Sequence, residues 1–556
     1  MDAEAPFGSS AIADAILRSS NSIDFHVLGA FLYYVSPTFR DMFSLNRGPS
    51  VYENAKKGEL PIIDVSEDSE ILQILLVLIY PCVDEPQFRN LEVFRAASKA
   101  AQKYFMIVVE DKLKKQIATS EFMKVESFRL YMIAVDLGWE AVALTAAHAT
   151  LGIPLEKLPF VDELQDISGA QFYRFLEYRF RCEKQLSNHS QVEFVILPKS
   201  TNPSCQADEN TSETISRAPA PFGTPTNGNI ILRSSDSIDF FVIEGLIRSV
   251  SPVFDSKFPL QEPDEVDGRP VITVSEDSKV LDGLLGMIYP HADQVDTQDC
   301  HLFKRMVQAA RKYEMSIVEK KLQKLGENLA SKEPLRMYVI ATTLGLKEVA
   351  TIAAFNTLSQ PLEDMLFIEE LKQITGADLF RLMRYRFSCA KEVFKVLGDR
   401  DVHVKHGFTN LVRLVQGQPS GMSFGCLTTP VPIITHGLRQ RLKNCPRGAT
   451  YRAIFVAELP NLAGCDSAAR MPISAVDATL NYRDGIAAAI EDAASKISLA
   501  DVLNPSAFED VPEPNVLEGT SSFFGTSQSA HVWDGEVEEK GNKWMGKETK
   551  HRNYRK

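Results

Sequence analysis

His403 and His406 form an HxxH, and Cys426, Cys445 and Cys465 follow at intervals near twenty, so imidazoles and thiols are present in a number that would hold zinc. The spacing argues against it: paired zinc ligands arrive as CxxC or a regular HxxxH, and these residues match no compact pattern. Paired carboxylates stand in SEDSE at 66–70 and in SEDS at 275–278. They lack the alternating acid order and glycine of a calcium loop, whereas acids just after a serine suit a helix start, where they face the positive end of the dipole. Arg179 and Arg386, in EYRF and RYRF, carry guanidinium groups fit for an anion or a partner's acid. On amphipathic helices they are expected on the solvated face. Cys182 and Cys389 fall on the apolar stripe of the same segments and read as buried structural thiols. There is no phosphate-binding loop, GxGxxG turn, GxSxG elbow or HExxH, so no catalytic, cofactor or metal residues are assigned and a non-enzymatic chain is expected.

The elements that carry these residues occur twice. PIIDVSEDSEILQILLVLIYP at 61–81 returns as PVITVSEDSKVLDGLLGMIYP at 270–290. LRSSNSIDF at 17–25 returns at 232–240 and VSPTF at 35–39 returns as VSPVF at 250–254, both 215 residues on. The offset falls to 209 at VSEDS, so the stretch between is a loop of tolerated length. AAQKYFMIVVEDKL at 100–113 matches AARKYEMSIVEKKL at 309–322, and ISGAQFYRFLEYRFRC at 167–182 shares eight of sixteen positions with ITGADLFRLMRYRFSC at 374–389. Repetition on this scale means two whole domains with helical extensions, about 12–190 and 227–398. IIDV and VITV read as strands; Ser66 and Ser275 are expected to cap the helices that follow, which Pro81 and Pro290 end. Ser168 with Gln171, and Thr375 with Asp378, have capping-box spacing before a second pair of amphipathic helices.

With 556 residues and 44% hydrophobic content the chain has material for several cores. Its net charge of −13 removes any general reason to seek nucleic acid or an anionic membrane. The start is acidic where a secretory signal would be basic, and the longest apolar run, Ile71 to Val83, is too short to span a bilayer. Eight dispersed cysteines suit reduced thiols, so an intracellular protein, cytoplasmic or nuclear, is expected.

The string IDFHVLGAFLYYVSPTFRDMF, followed by a strand, a SEDS helix start, IYP and AAQKYFMIVVEDKL, resembles the BTB/POZ domain, as does IDFFVIEGLIRSVSPVFDSKF with its own IYP and AARKYEMSIVEKKL. The tandem arrangement resembles BTB-domain proteins of fungi. The resemblance implies α/β (α+β) modules, each a small sheet wrapped by helices and used for association between proteins. It places a first BTB-like domain at 12–117 with a helical extension at 118–195 and a second at 227–326 with an extension at 327–398, while composition reads 196–226 as a flexible linker, 399–500 as a partly helical region and 501–556 as a disordered tail. The charged pocket of transcription-regulator BTB domains is missing: Asp14 fits its acid, but Leu28 and Gly29 replace the histidine and the base, and Asn229, Ile243 and Glu244 stand at the second copy's positions. A co-repressor groove is therefore not carried over. Asp14, Leu28, Asn229 and Ile243 instead mark a pairing face with apolar contacts, through which the two copies are expected to join as an intramolecular pseudo-dimer. Partners are other proteins, including the chain itself. The alternatives are a substrate adaptor for a cullin-type ubiquitin ligase and, further off, a transcriptional regulator. Nothing names the partner, and the basic residues near the C-terminus, too dispersed for a compact import signal, read as a solvated tail.

Overall fold

Short β-branched and aromatic runs bounded by serines and aspartates give this chain its strands, and runs with apolar residues three and four apart give its helices. The structure, a computed structural model, describes residues 1–9, 11–45, 56–57, 60–80, 86–186, 216–225, 228–257, 265–266, 268–289, 298–408, 436–463 and 473–502. Pro81, Pro290, Cys426, Cys465, most of the expected linker and the tail beyond 502 lie outside them.

β1 (Ala15–Arg18) pairs antiparallel with β2 (Asp24–Val27), Ala15 opposite Val27. α1 (Gly29–Val35) and α2 (Pro37–Leu45) lead to β3 (Lys56–Lys57) and β4 (Leu60–Asp64), and β4 returns parallel to β1, giving the order β2-β1-β4-β3. α3 (Ser69–Ile79), α4 (Leu91–Lys103) and α5 (Ile107–Ala118) complete this part, with Leu17, Phe25, Leu72, Leu76 and Phe94 in its core. α6 (Phe122–Val125), α7 (Ser127–Asp136), α8 (Glu140–Ala149) and α9 (Gly169–Leu186) form the extension.

The same sequence of elements then recurs: β5 (Ser216–Arg217), β6 (Ile230–Arg233), β7 (Ile238–Val242), α10 (Glu244–Val250), α11 (Pro252–Lys257), β8 (Glu265–Val266), β9 (Arg269–Thr273), α12 (Ser278–Ile288), α13 (Cys300–Lys312) and α14 (Ser316–Lys332). Its sheet runs β5-β7-β6-β9-β8, and Ile230 opposite Val242 reproduces the first register. α15 (Pro334–Leu344), α16 (Lys347–Thr357) and α17 (Gly376–Gly398) repeat the extension, and α18 (Arg400–Lys405) follows.

Both sheets begin earlier than the repeated phrases suggested. Ala5-Pro6-Phe7-Gly8 and Ala220-Pro221-Phe222-Gly223 repeat at the same offset of 215. Phe7 and Phe222 are both 2% exposed, and each packs edge-on against a tyrosine, Tyr80 or Tyr289, with ring centroids 5.1 Å apart. The carbonyls of Phe7 and Phe222 accept from the amides of His26 and Phe241. Burying a phenylalanine contributes about 2–3 kcal/mol, so 216–225 belongs to the second core although it reads as linker by composition.

The joint at SEDS also differs in detail from its reading. The cap is the second aspartate: Asp68 accepts from the Ile71 amide at 2.9 Å and Asp277 from the Val280 amide at 3.0 Å. Ser66 and Glu67 turn instead toward α4, where Lys103 Nζ donates to Glu67 Oε1 at 2.8 Å and the Tyr104 hydroxyl donates to Oε2; Lys312 and Tyr313 do the same to Glu276. Burial alone would raise these two carboxyls, but the lysine and tyrosine bonds outweigh it and leave both below their ordinary range. The other repeated phrases interlock as well. Asn21 and Asp236 of the LRSS phrases accept from the Ser69 and Ser278 amides, and Ser36 and Ser251 of VSP donate to the Tyr104 and Tyr313 carbonyls at 2.5 Å. Each phrase recurs because its contact partner recurs.

The halves meet through their extensions. The amide of Gly169 donates to the Ile374 carbonyl at 2.8 Å and that of Gly376 to the Ile167 carbonyl at 2.7 Å. Tyr173 packs on Phe367 and Phe380 on Phe160, the same contact made in both directions. Such reciprocity is the mark of an isologous interface between like surfaces, here within one chain. The turn Asp162–Gln165 touches α17 and the turn Glu369–Gln373 touches α9. Those turns are pinned by buried carboxylates, Glu163 on Arg129 and Glu370 on Arg336, each at 2.8 Å.

The capping expectations hold: Ser168 with Gln171 and Thr375 with Asp378 exchange both bonds of a capping box. Arg179 and Arg386 overturn theirs. They are 1% and 2% exposed, Arg179 donating to the carbonyls of Thr150 and Ile153, and Arg386 to those of Thr357, Gln360 and Asn444. The carbonyl ends left by α8 and α16 lack intrahelical donors, and a five-donor guanidinium meets that need better than water can in a closed core.

Helices His436–Asn444, Gly448–Ala463, Ile473–Ser495 and Leu499–Val502 occupy the region read as partly helical; the first, third and fourth pack on α17, and Gly448–Ala463 packs on the first and third. Lys443 crosses to Glu156 of the first extension at 2.6 Å, while Arg447 lies over the Phe355 ring and pairs with Glu491. Gly485, in the middle of the helix Ile473–Ser495, is demanded by packing: a Cβ there would sit 2.5 Å from the His406 ring. No helix among the described residues is long and apolar enough to cross a membrane.

Candidate interaction surfaces

Both pairs of expected site residues sit where a strand hands over to a helix. Asp14 Oδ1 accepts from the Gly29 amide at 2.5 Å, and Asn229 Oδ1 accepts from the Glu244 amide at 2.8 Å. Each satisfies an amide at the start of α1 or α10 that has no partner inside its helix. An amide oxygen does this as well as a carboxylate, which is why aspartate and asparagine interchange here. The amides of Leu28 and Ile243 donate to the hydroxyls of Tyr80 at 2.8 Å and Tyr289 at 2.7 Å, so the tyrosine of IYP anchors the same handover. The four residues thus orient α1 and α10. Leu28 is half-buried and Ile243 is 48% exposed, so Ile243 does not lie under the other half; the joint between the halves is built by α9 and α17 instead.

The helices so placed differ in character. α1 presents Tyr33 and Tyr34 to solvent, with Arg40 over the Tyr33 ring. α10 presents Arg248, ion-paired to Glu244 and Asp255. Beside each helix lies the turn that follows α4 or α13, held by the Ser36 and Ser251 bonds; Phe105 at φ +52° and Glu314 at φ +53° occupy its left-handed position.

The other chemistry-bearing residues are absorbed by the fold. His403 is buried, with Nδ1 2.7 Å from the Tyr482 hydroxyl and Nε2 2.9 Å from the Leu397 carbonyl, so both ring nitrogens are engaged within the protein. Among the described residues no cluster of three histidine, cysteine or acidic side chains has metal-binding geometry. Cys182 and Cys389 are buried as expected, and burial pushes the Cys389 thiol up to about 12, which keeps it protonated. A cavity of about 210 Å³ lies where Glu156, Phe180, Arg386 and Lys443 converge, but Lys443 pairs with Glu156 and Arg386 is bonded to carbonyls. What the arrangement offers is surface.

Sequence reasoning missed the Phe7 and Phe222 anchors and the tyrosines that receive them. The repeated APFG, at the offset already in hand, is the signal that would have found them.

The family model of the BTB/POZ domain matches residues 4–121. The matched segment begins before residue 12 and so takes in Phe7. No curated protein matches the chain. A BTB/POZ domain is an association module, so the first part of this chain carries a protein–protein interaction domain.

Proposed function

We propose that the protein is a non-enzymatic interaction scaffold in which two BTB/POZ-type modules are held together as an intramolecular pair by their own helical extensions. The observation that carries this reading is the repetition, in residues 216–332, of the sheet order, the register, the paired phenylalanine and tyrosine anchors and the interlocking serines of the matched segment. A lone sheet order recurs in unrelated folds, whereas buried contacts at equivalent positions require the same core. In this reading the pair is fastened by the reciprocal Gly169 and Gly376 contacts, which leaves the α1 and α10 faces to partners and replaces the pairing first expected at Leu28 and Ile243.

Crosslinking mass spectrometry on the tagged full chain, purified at physiological salt, tests this. Partner peptides, the chain's own copy included, are expected crosslinked within 1–121 or 216–332. No retained protein at all, or partners crosslinked solely within 399–556, would overturn it.

A further inference from the structure

The cavity where the two extensions meet repeats the plan of the molecule on a small scale. PLE at 154–156 returns as PLE at 361–363, 207 residues on, and the same offset carries Phe180 to Phe387. Leu155 and Leu362, Glu156 and Glu363, and Phe180 and Phe387 all line the cavity, so each half contributes the same three side chains to its wall.

One helix breaks this symmetry. Helix His436–Asn444 brings Gln440, Lys443 and Asn444 into the lining, and Lys443 Nζ donates to Glu156 Oε1 at 2.6 Å. Burial by itself would raise the Glu156 carboxyl, but the Lys443 bond outweighs it and leaves the group below its ordinary range. On this side the cavity shows the cation it accepts, an ammonium at the end of a four-carbon stem. On the other side Glu363, the counterpart of Glu156, is exposed and has no ion pair among the described residues. The same is true of Glu183, which stands where the second half has Ala390. Arg386, the other cation of the lining, is buried and donates to the carbonyls of Thr357, Gln360 and Asn444. Three carboxylates against Lys443 and Arg386 leave the lining with a charge of −1.

We propose that this cavity binds a small primary amine in its ammonium form, the ammonium on Glu363 and Glu183 and an apolar body against Phe180, Phe387, Leu155 and Leu362. One cation balances the unmatched negative charge, and aromatic faces attract it further. An anion would meet like charge at Glu183 and Glu363, and the two cations of the lining are already engaged. A volume of about 210 Å³ equals roughly seven waters at about 30 Å³ each, so an amine of roughly seven to ten non-hydrogen atoms fills it. Bound there it touches both halves and fastens their junction, whichever partners the modules take.

Saturation-transfer NMR on the full chain at about 20 mM salt, where exposed carboxylates are least screened, tests this with phenethylamine as the probe. Its neutral counterpart phenethyl alcohol and the capped lysine N-acetyl-lysine methylamide are the comparison arms. Phenethylamine is expected to bind with a dissociation constant between about 0.1 and 5 mM, at least about fivefold weaker in Glu363→Gln. Asp364→Asn, whose exposed carboxylate lies outside the lining, should leave binding unchanged. The amine should also raise the unfolding midpoint of the wild type more than that of Glu363→Gln, whose midpoint without amine verifies its folding. No saturable binding, equal binding of phenethyl alcohol, or an affinity that Glu363→Gln leaves intact would overturn the inference. Capped lysine binding as tightly as phenethylamine would overturn the free amine as occupant and assign the cavity to a partner's lysine.

Discussion

Asp24 shows how much one side chain on a strand can organise. It is buried, takes both Arg18 bonds, at 2.7 and 3.2 Å, and accepts a third from Lys57. The Arg18 hydrogen bonds are the main reason its carboxyl is held down at about 2, against the opposing pull of burial, with Lys57 adding to them. A depressed carboxyl stabilises the fold above its unfolded value near 3.8, and that contribution is lost as pH falls from about 4 toward 2. Asp24→Asn is expected to cost on the order of 2 kcal/mol at pH 6 and progressively less below pH 4, read as urea midpoints across that range. A deficit that stays constant with pH would show that the pairing is not its cause. Little at this scale was legible beforehand. The IDF phrase marked a repeat, but the partners of Asp24 arrive from Arg18 and Lys57, which only the folded sheet brings near.

Among the elements, the extension helices were the most readable, since their capping boxes and apolar stripes are local patterns. What the pattern did not reveal is why each begins with glycine. A Cβ on Gly376 would stand 2.7 Å from Ile167 Cγ1 and 3.1 Å from the Leu164 carbonyl oxygen, and one on Gly169 would meet Ile374 at 2.8 Å. The glycines let each helix start approach the other half's turn closely enough for the reciprocal amide bonds. Gly376→Ala should therefore destabilise by about 1–3 kcal/mol, while Gly152→Ala, where an added methyl meets nothing within 4 Å, should stay within about 0.5 kcal/mol. Equal denaturation midpoints for the two variants would remove the packing explanation. Arg179 and Arg386 were misread for a related reason: helical spacing places a residue on a face, but whether that face meets water depends on the carbonyls that α8 and α16 leave behind it.

At the scale of the whole molecule, the reciprocal junction and the Lys443 bridge to Glu156 bind the halves by contact as well as by covalent connection. With a protease site inserted between residues 200 and 210 and cut to completion, the fragments should still co-elute on gel filtration in native buffer; two separate peaks would mean that the connection alone keeps them together. By itself the sequence determined that there are two copies of one plan, that a helix follows each SEDS phrase and each capping box, and that no catalytic centre is spelled out. Those features rest on periodicity and repetition along the chain, which local chemistry writes into neighbouring residues. Which surfaces the copies use to meet, which arginines are buried and which copy the C-terminal helices cover were decided only in the tertiary structure. They depend on residues hundreds of positions apart, such as Glu156 and Lys443 or Gly169 and Ile374, and no local pattern encodes such a distance.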